Sequence, residues 1–376
     1  MLKSGAILKE TVLYGLSKAI PGLTGLLSVI FFLRFLGTEG YGQYSIILAQ
    51  CNLFASFGFG WINHALLRYN NSQDSEESFN LLIKGFLFSS LIVIGLFIVF
   101  LFFQKTTKTI ILLSMFCTIS IALFSIIKII FQAKIQPLKV LTLTSFQSIL
   151  GLIIPLFLLQ IFHSWEYVLL GVGISFFVII NYTILNKSYI LGKIIKIKFL
   201  KMHSKRSLKK WLSYGAPISM WFALSMAFPF FDRLFIKQYL SLESLGSYAA
   251  VQEFLYRIYS FILFPMIMAL HPKIMNYWNE GFSLESIRLI KKGIIVALVL
   301  LVLIIFPTLF LEKYYVYLLS FISPDIPHKF SKLILPLVLA GFLWQLSLLT
   351  HKMIELKEDT KWMVIFMIIS LIINII

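Results

Sequence analysis

Residues 32 to 69 read FLRFLGTEGYGQYSIILAQCNLFASFGFGWINHALLRY. One apolar run ends inside this stretch, and a second run, from 43 to 66, follows a short polar turn. A helix that rises 1.5 Å per residue needs about 20 mostly apolar residues to cross roughly 30 Å of hydrocarbon. The stretch therefore predicts the end of one membrane-spanning helix, a tight turn and a complete second span.

The same pattern continues along the rest of the chain. Of its 376 residues, 59% are apolar and 13% are charged, and the mean hydropathy is +0.90. Polar surface could not cover so much apolar material in a water-soluble domain of this size. We predict an all-α polytopic membrane protein with about 11 transmembrane helices. The apolar segments are 12 to 35, 43 to 66, 82 to 103, 110 to 132, 140 to 162, 167 to 186, 212 to 236, 245 to 270, 290 to 311, 333 to 351 and 362 to 376.

The positive charge predicts the orientation of these spans. The formal net charge is +17, and most Lys and Arg residues lie in short segments between apolar runs. Such segments set topology and contact anionic lipids, so we expect no nucleic-acid partner. With a cytoplasmic N-terminus, 23 of the 33 Lys and Arg residues lie in inner loops, 7 lie in outer loops, and 3 lie within spans. This distribution predicts that the N-terminus is cytoplasmic.

The longest polar interruption contains KIIKIKFLKMHSKRSLKKW, residues 193 to 211. Lysines interleaved with Ile, Leu and Phe are typical of an amphipathic helix on the anionic inner leaflet, although a solvated basic linker is the alternative. The interruption predicts three parts: an N-terminal six-helix bundle (1–186), a basic cytoplasmic linker (187–211) and a C-terminal bundle of about five helices (212–376).

The two predicted bundles share short sequence matches. Tyr14-Gly15 opens the first span and Tyr214-Gly215 opens the seventh. In the turns that follow, Glu39, Gly42 and Tyr44 align with Glu243, Gly246 and Tyr248. Six spans per copy would give parallel repeats in the same orientation, as in transporters whose halves rock around a central site.

Three loose motifs resemble the O-antigen flippase family of the multidrug/oligosaccharidyl-lipid/polysaccharide (MOP) exporter superfamily. They are L-G-x-x-x-Y-G-x-Y at 36 to 44, the end of the second span at Phe57-Gly58-Phe59-Gly60, and the pair Asp232-Arg233 late in the seventh span. The resemblance covers most of the chain. The chain departs from the family pattern at 362 to 376. These fifteen residues make only about 23 Å of helix, which is shorter than the hydrocarbon core, so an incomplete last span is expected.

This resemblance implies two pseudo-symmetric bundles around a central cavity that opens alternately to either side. It implies a flippase that moves a polyprenyl-diphosphate-linked oligosaccharide, such as an O-antigen or capsular repeat unit, across the bacterial inner membrane. An H⁺ or Na⁺ gradient would drive transport, and a glycan polymerase would be a partner. No cofactor is expected.

Charged side chains at membrane depth are the first candidates for the substrate site. An Arg or Lys at a helix centre costs about 2.5 to 3.5 kcal/mol on insertion scales, so it should face water or a partner. Arg257 follows Glu253 by four residues and can pair with it beside Gln252. Arg257 and Lys18 suit a diphosphate, because a guanidinium offers a bidentate fork to its oxygens. The alternatives are a buried ion pair that fixes packing for Arg257 and snorkelling to the inner surface for Lys18.

Polar residues in the second and seventh spans complete the candidate set. Asn52, Asn63 and His64 interrupt the apolar second span and are expected in the cavity, with interhelical hydrogen bonding as the alternative. Asp232 and Glu253 are candidates for binding the coupling ion, with interfacial anchoring as the alternative for Asp232.

Two other functions compete with the flippase. A drug or cation antiporter of the same superfamily should have an acidic cavity, whereas the intramembrane charges Lys18, Glu253, Arg257, Asp232 and Arg233 sum to +1. A membrane glycosyltransferase or polymerase needs a sizeable outer loop, and the largest predicted one is only 311 to 332. The sequence contains no nucleotide loop, paired-carboxylate site or zinc signature, and Cys51 and Cys117 fall inside apolar runs. We therefore expect no enzyme activity and no metal site.

Overall fold

The computed structural model describes residues 4–69, 75–104, 107–134, 136–186, 205–357 and 359–375. Within these ranges the chain is helical almost throughout and contains no β-strand. The helices are α1 (Ser4–Tyr69), α2 (Ser75–Gln104), α3 (Lys108–Ala133), α4 (Pro137–Phe162), α5 (Trp165–Leu185), α6 (Lys205–Tyr239), α7 (Leu242–Asn279), α8 (Ser283–Phe310), α9 (Tyr315–Ile322), α10 (Ile334–Thr350), α11 (Lys352–Leu356) and α12 (Thr360–Ile375). Short 3₁₀ helices lie at Glu312–Tyr314 and His328–Leu333. The predicted all-α polytopic fold is confirmed.

Helix α1 contains two spans. Its 66 residues would reach about 100 Å as one straight helix, roughly three times the bilayer core. Gly37 interrupts it with φ 68° and ψ 176°, a backbone conformation that glycine adopts and L side chains rarely do. We call residues 4–36 the first arm and residues 38–69 the second arm. The turn predicted after residue 35 is therefore confirmed.

The predicted spans coincide with helices. Each apolar segment lies within a helix to within one residue at its ends, apart from Ile376, which is outside the described residues. Seven helical segments of the described residues are long and apolar enough to cross a membrane: Ala19–Tyr69, Phe79–Val99, Lys108–Ala133, Pro137–Phe162, Trp165–Leu185, Ser283–Phe310 and His328–Leu356. Lys361–Ile375 is apolar but shorter. Exposed Val302, Leu303 and Phe306 on α8 are the outward face expected next to lipid.

The chain forms two compact units. The first unit comprises Met1–Gln43 and Phe235–Met363, and the second comprises Tyr44–Leu234 and Val364–Ile376. In the first unit, Leu263 and Ile267 of α7 pack with Ala297 of α8 and with Phe342 and Leu349 of α10.

The core of the second unit joins the second arm of α1 to α2, α3 and the start of α6. Phe59 and Trp61 pack there with Phe97, Ile126 and Trp211.

The basic linker is only partly described. Residues 187–204 lie outside the described residues, so the predicted amphipathic helix stays a prediction there. Residues 205–211 form the first turns of α6. The division into bundles 1–186 and 212–376 also stays a prediction.

The internal repeat has a physical counterpart in the first unit. A Cβ on Gly42 would lie 2.5 Å from the Leu242 carbonyl oxygen and 3.0 Å from the Gly246 nitrogen. A Cβ on Gly246 would clash with the Thr38 carbonyl oxygen and lie 3.0 Å from the Gly42 nitrogen. Under the repeat alignment, Thr38 corresponds to Leu242 and Gly42 to Gly246, so the two contacts are reciprocal. Reciprocal contacts of this kind are characteristic of elements related by a two-fold axis.

Candidate functional site

The candidate site begins with a polar face on α7. Ser241 caps this helix, because its Oγ accepts a hydrogen bond from the Ser244 backbone N–H at 3.1 Å. Three turns further on, polar side chains repeat at helical spacing. Gln252 Nε2 donates to the Tyr248 hydroxyl at 3.2 Å, and Glu253 precedes Arg257 by four residues. The helix therefore presents an amide, a carboxylate and a guanidinium within the span predicted at 245 to 270.

Arg257 is held close to its partner but keeps free donor capacity. Its Nη2 lies 3.8 Å from Glu253 Oε2, which is an ion-pair distance and too long for a strong hydrogen bond. Its Nε is buried and has no hydrogen-bond partner among the described residues. The side chain is nevertheless 31% exposed, so the guanidinium is reachable from outside the protein interior. A group in this position can accept an anion without first breaking a strong hydrogen bond.

Glu253 is also held by a residue at the start of the second arm. The Tyr41 hydroxyl donates to Glu253 Oε2 at 3.1 Å. Tyr41 itself is buried, with 1% of its side chain exposed. One carboxylate oxygen therefore contacts both a phenol and a guanidinium.

Glycines on the first arm of α1 make room for α7. A Cβ on Gly22 would lie 2.6 Å from the ring of Phe261, and one on Gly25 would overlap the guanidinium of Arg257. Arg257 and Phe261 are four residues apart and share one face of α7. The absence of side chains at Gly22 and Gly25 thus lets the Arg257 guanidinium lie directly on the helix backbone.

Lys18 lies in the first arm, but its side chain is outside the described residues. It precedes Gly25 by seven residues, close to two helical turns, so both positions share a face of α1. The role of Lys18 in binding stays a prediction.

The polar residues of the second span lie in the second unit. Asn52 Nδ2 donates to the Leu48 carbonyl within its own helix at 2.9 Å. Asn63 Nδ2 donates to Ser125 Oγ of α3 at 2.9 Å, which is the interhelical bond of the alternative interpretation, while its Oδ1 is buried and has no hydrogen-bond partner among the described residues. His64 stacks on Phe222 with ring centroids 5.1 Å apart. Their binding role stays a prediction.

The comparison with known families shows the family to which the chain belongs. The sequence model of the family described as polysaccharide biosynthesis protein matches residues 7–278. The chain belongs to this family. No curated protein matches the chain.

Solved structures place this polysaccharide biosynthesis protein among MATE folds. An inward-facing multidrug resistance MATE transporter of the MOP superfamily aligns with TM-score 0.61 and 16% identity, over 95% of this chain and 83% of that one. A MATE protein in complex with MaL6 aligns with TM-score 0.63 and 15% identity, over 96% and 85%. The MATE transporter ClbM in complex with Rb⁺ gives 0.61 and 14%, over 96% and 83%. The family match confirms the predicted resemblance to a polysaccharide family, and these structures show that the chain shares the fold of MATE transporters.

The two residues of the pair Asp232-Arg233, late in the predicted seventh span, lie in different environments. Asp232 is half-buried, whereas Arg233 is 5% exposed and donates from Nη1 to the Ser45 carbonyl at 2.7 Å. A second arginine, Arg34, follows a similar short motif, FFLR at 31–34 beside FFDR at 230–233. It donates from Nε to the Ile322 carbonyl at 3.2 Å and from Nη2 to the Phe321 carbonyl. Both arginines satisfy carbonyl oxygens near helix ends, and ion binding by Asp232 stays a prediction.

Two residues of the site escaped sequence reasoning. Tyr41 lies 212 positions from Glu253, and Gly25 lies 232 positions from Arg257. The spacing of Gly22 and Gly25 on one helix face could have predicted a close helix contact, because small residues mark such interfaces in membranes. No local signal identified the partner of Tyr41.

The described residues contain no group of three or more His, Cys, Asp and Glu placed to hold a metal ion. Cys51 and Cys117 are free and buried, and the Cys51 thiol donates to the Ser114 carbonyl at 3.4 Å.

Proposed function

We propose that this protein is a flippase for a polyprenyl-diphosphate-linked oligosaccharide in the bacterial inner membrane. The observation that supports it is the state of Arg257: a partly exposed guanidinium in the predicted eighth span, with a buried Nε that has no hydrogen-bond partner among the described residues. Membership of the polysaccharide biosynthesis family supports a saccharide-linked cargo over other anions.

The chemistry of the diphosphate fits this arrangement. Its oxygens must lose water when the headgroup enters the protein, and an unsatisfied guanidinium replaces that water with charge-assisted hydrogen bonds. The polyprenyl tail stays in lipid, so only the headgroup needs a polar path. Lys18, on the same helix face as Gly25, would add a second positive charge.

Glu253 gives Arg257 a partner when no substrate is bound. A lone buried guanidinium would be costly, and the carboxylate at 3.8 Å lowers that cost without occupying the donors tightly. When the diphosphate binds, it competes with Glu253 for the same guanidinium. Release of Glu253 would then open it to H⁺ or Na⁺, which is how we propose that binding is linked to the ion gradient.

The competing drug or cation antiporter predicts the opposite selectivity. A cationic drug would prefer Glu253 and would be repelled by Arg257. The purified protein in nanodiscs is tested for binding of polyprenyl diphosphate and, separately, of the cation tetraphenylphosphonium. A flippase should bind the diphosphate, whereas a cation antiporter should bind tetraphenylphosphonium.

The decisive experiment replaces Arg257 in a strain that lacks the chromosomal gene. We expect Arg257→Gln to reduce glycan export at least about tenfold, since a lost charged hydrogen bond is worth roughly 1.5 to 3 kcal/mol, and to make the lipid-linked oligosaccharide accumulate. Arg257→Lys should retain part of the export. Arg288→Gln is the matched control, because Arg288 is exposed on α8 and pairs with Glu285. Wild-type export by Arg257→Gln at equal membrane levels would overturn the proposal.

A further inference from the structure

A second group of titratable side chains lies in the first unit. His271 is on α7, His351 directly follows α10, and Lys352 and Glu355 are on α11. His271 follows Arg257 by fourteen residues on the same helix, about 21 Å along its axis. The group is therefore separate from the substrate site.

One carboxylate oxygen of this group has two basic neighbours. Lys352 Nζ donates to Glu355 Oε2, and His351 Nε2 lies 3.6 Å from the same oxygen. The Lys352 side chain is 11% exposed and that of His351 is 15% exposed. The two bases are thus largely shielded from water, while the Glu355 side chain is 30% exposed, so the charge balance of the group matters more than that of a fully exposed one.

The hydrogen bonding of His351 shows which of its two ring nitrogens carries a hydrogen. Its Nδ1 lies 2.7 Å from the Ser347 carbonyl oxygen, which can only accept, so Nδ1 carries a hydrogen. In a neutral ring Nε2 would then present a lone pair to the Glu355 carboxylate, and the two would repel. A close approach of Nε2 and Oε2 is favourable only with a proton between them, on the imidazole or on the carboxyl group.

His271 is the neighbouring group that can respond to this proton. Its Nδ1 is buried and has no hydrogen-bond partner among the described residues. It lies within electrostatic range of Lys352, Glu355 and His351.

The helices that carry the group also share an apolar cluster. Ile274, Ile290 and Leu356 form a buried cluster with Leu270 and Met353 around it. On α8, which contributes Ile290, Arg288 pairs with Glu285 at the surface.

We propose that His351 and Glu355 bind one exchangeable proton, with Lys352 and His271 setting the local charge. With the proton bound, Nε2–H bridges to Glu355 and ties the end of α10 to α11. When the proton leaves to water, the Nε2 lone pair faces the carboxylate, Lys352 retains Glu355, and the imidazole separates from it. If the proposed flippase function holds, this proton is a second coupling ion beside the one proposed at Glu253.

The proton site is tested without any substrate. Full-length protein with ¹⁵N-labelled histidine in nanodiscs is titrated by NMR, and His351→Gln and His271→Gln assign the two signals. Opposite charges within about 4 to 6 Å shift such titrations by roughly 1 to 3 pH units. We therefore expect Glu355→Gln to move the His351 titration to lower pH by at least about one unit, and Lys352→Met to move it to higher pH.

His328, which is exposed in the same unit, provides the internal control. Its titration should not move in either variant. If His351 titrates at the same pH with and without the Glu355 carboxylate, the proton site is refuted.

Coupling is tested in vesicles with an imposed pH gradient. The gradient should accelerate wild-type transport, and His351→Gln should lose that acceleration while its affinity for polyprenyl diphosphate stays unchanged. If the NMR shifts occur but the gradient has no effect on wild-type transport, coupling is refuted and the proton site stands. If Arg257→Gln leaves export intact, the flippase function fails independently of the titration.

Discussion

Tyr41 shows how one residue can control a charged pair at membrane depth. Its hydroxyl donates to the Glu253 oxygen that also faces Arg257, so it partly neutralises the carboxylate and leaves Arg257 less tightly paired. Tyr41→Phe should strengthen the hold of Glu253 on Arg257 and weaken diphosphate binding about threefold to tenfold, the range expected for one hydrogen bond of roughly 0.5 to 1.5 kcal/mol. Binding of polyprenyl diphosphate in nanodiscs measures this.

Tyr256→Phe provides the matched control for the loss of one hydroxyl. Tyr256 is exposed on α7, and its ring stacks edge-on against Tyr259. The control variant should bind with wild-type affinity. Equal affinities for Tyr41→Phe and the wild type would mean that Glu253 is held without Tyr41.

At the scale of elements, the crossing of α7 with the start of the second arm depends on two glycines, Gly42 and Gly246. Each lies against the backbone of the other copy of the repeat, where a methyl group would meet carbonyl oxygens and backbone nitrogens that cannot move away. Gly246→Ala should lower stability by about 1 to 3 kcal/mol through overpacking, seen as a lower melting temperature of the purified protein in detergent.

Gly95→Ala is the control for that substitution. Gly95 lies within α2, and a Cβ there would meet nothing within 4 Å. Alanine favours the helix by up to about 1 kcal/mol, so this variant should melt at or above the wild-type temperature. If the Gly246→Ala and Gly95→Ala proteins had the same melting temperature, the crossing would have room for side chains.

The helices could be predicted from sequence, but their contacts could not. Apolar length predicts a span such as 290 to 311, because the bilayer imposes it wherever the segment packs. The short helix α9, by contrast, lies in the predicted outer loop 311 to 332, and the contact of Arg34 with its end joins residues 287 to 288 positions apart. His271, His351 and Lys352 each look alone like ordinary residues at the end of a span. Helical spacing of three and four residues places Lys352 and His351 beside Glu355, and only the approach of His271 depends on tertiary packing.

Across the whole molecule, each unit pairs a helix from one half of the sequence with a helix from the other. In the first unit the first arm of α1 contacts α7 at Gly25 and Arg257. In the second unit the second arm contacts α6, where Ser219 Oγ donates to the Ser56 carbonyl at 3.0 Å. Under the repeat, the first arm corresponds to α6 and the second arm to α7. The two pairings are therefore equivalent, as parallel repeats require.

Parallel repeats in a bilayer have equivalent ends on the same side, so one orientation applies to both halves. The distribution of Lys and Arg predicts a cytoplasmic N-terminus, which places Lys139 inside and Lys313 outside. Both side chains are exposed, whereas the native Cys51 and Cys117 are buried and should react slowly. A membrane-impermeant maleimide should therefore label Lys313→Cys in intact spheroplasts and Lys139→Cys only after permeabilisation. Labelling in the reverse order would invert the topology and place the His351 proton site on the outer side, where an inward proton gradient would load it before transport instead of discharging it.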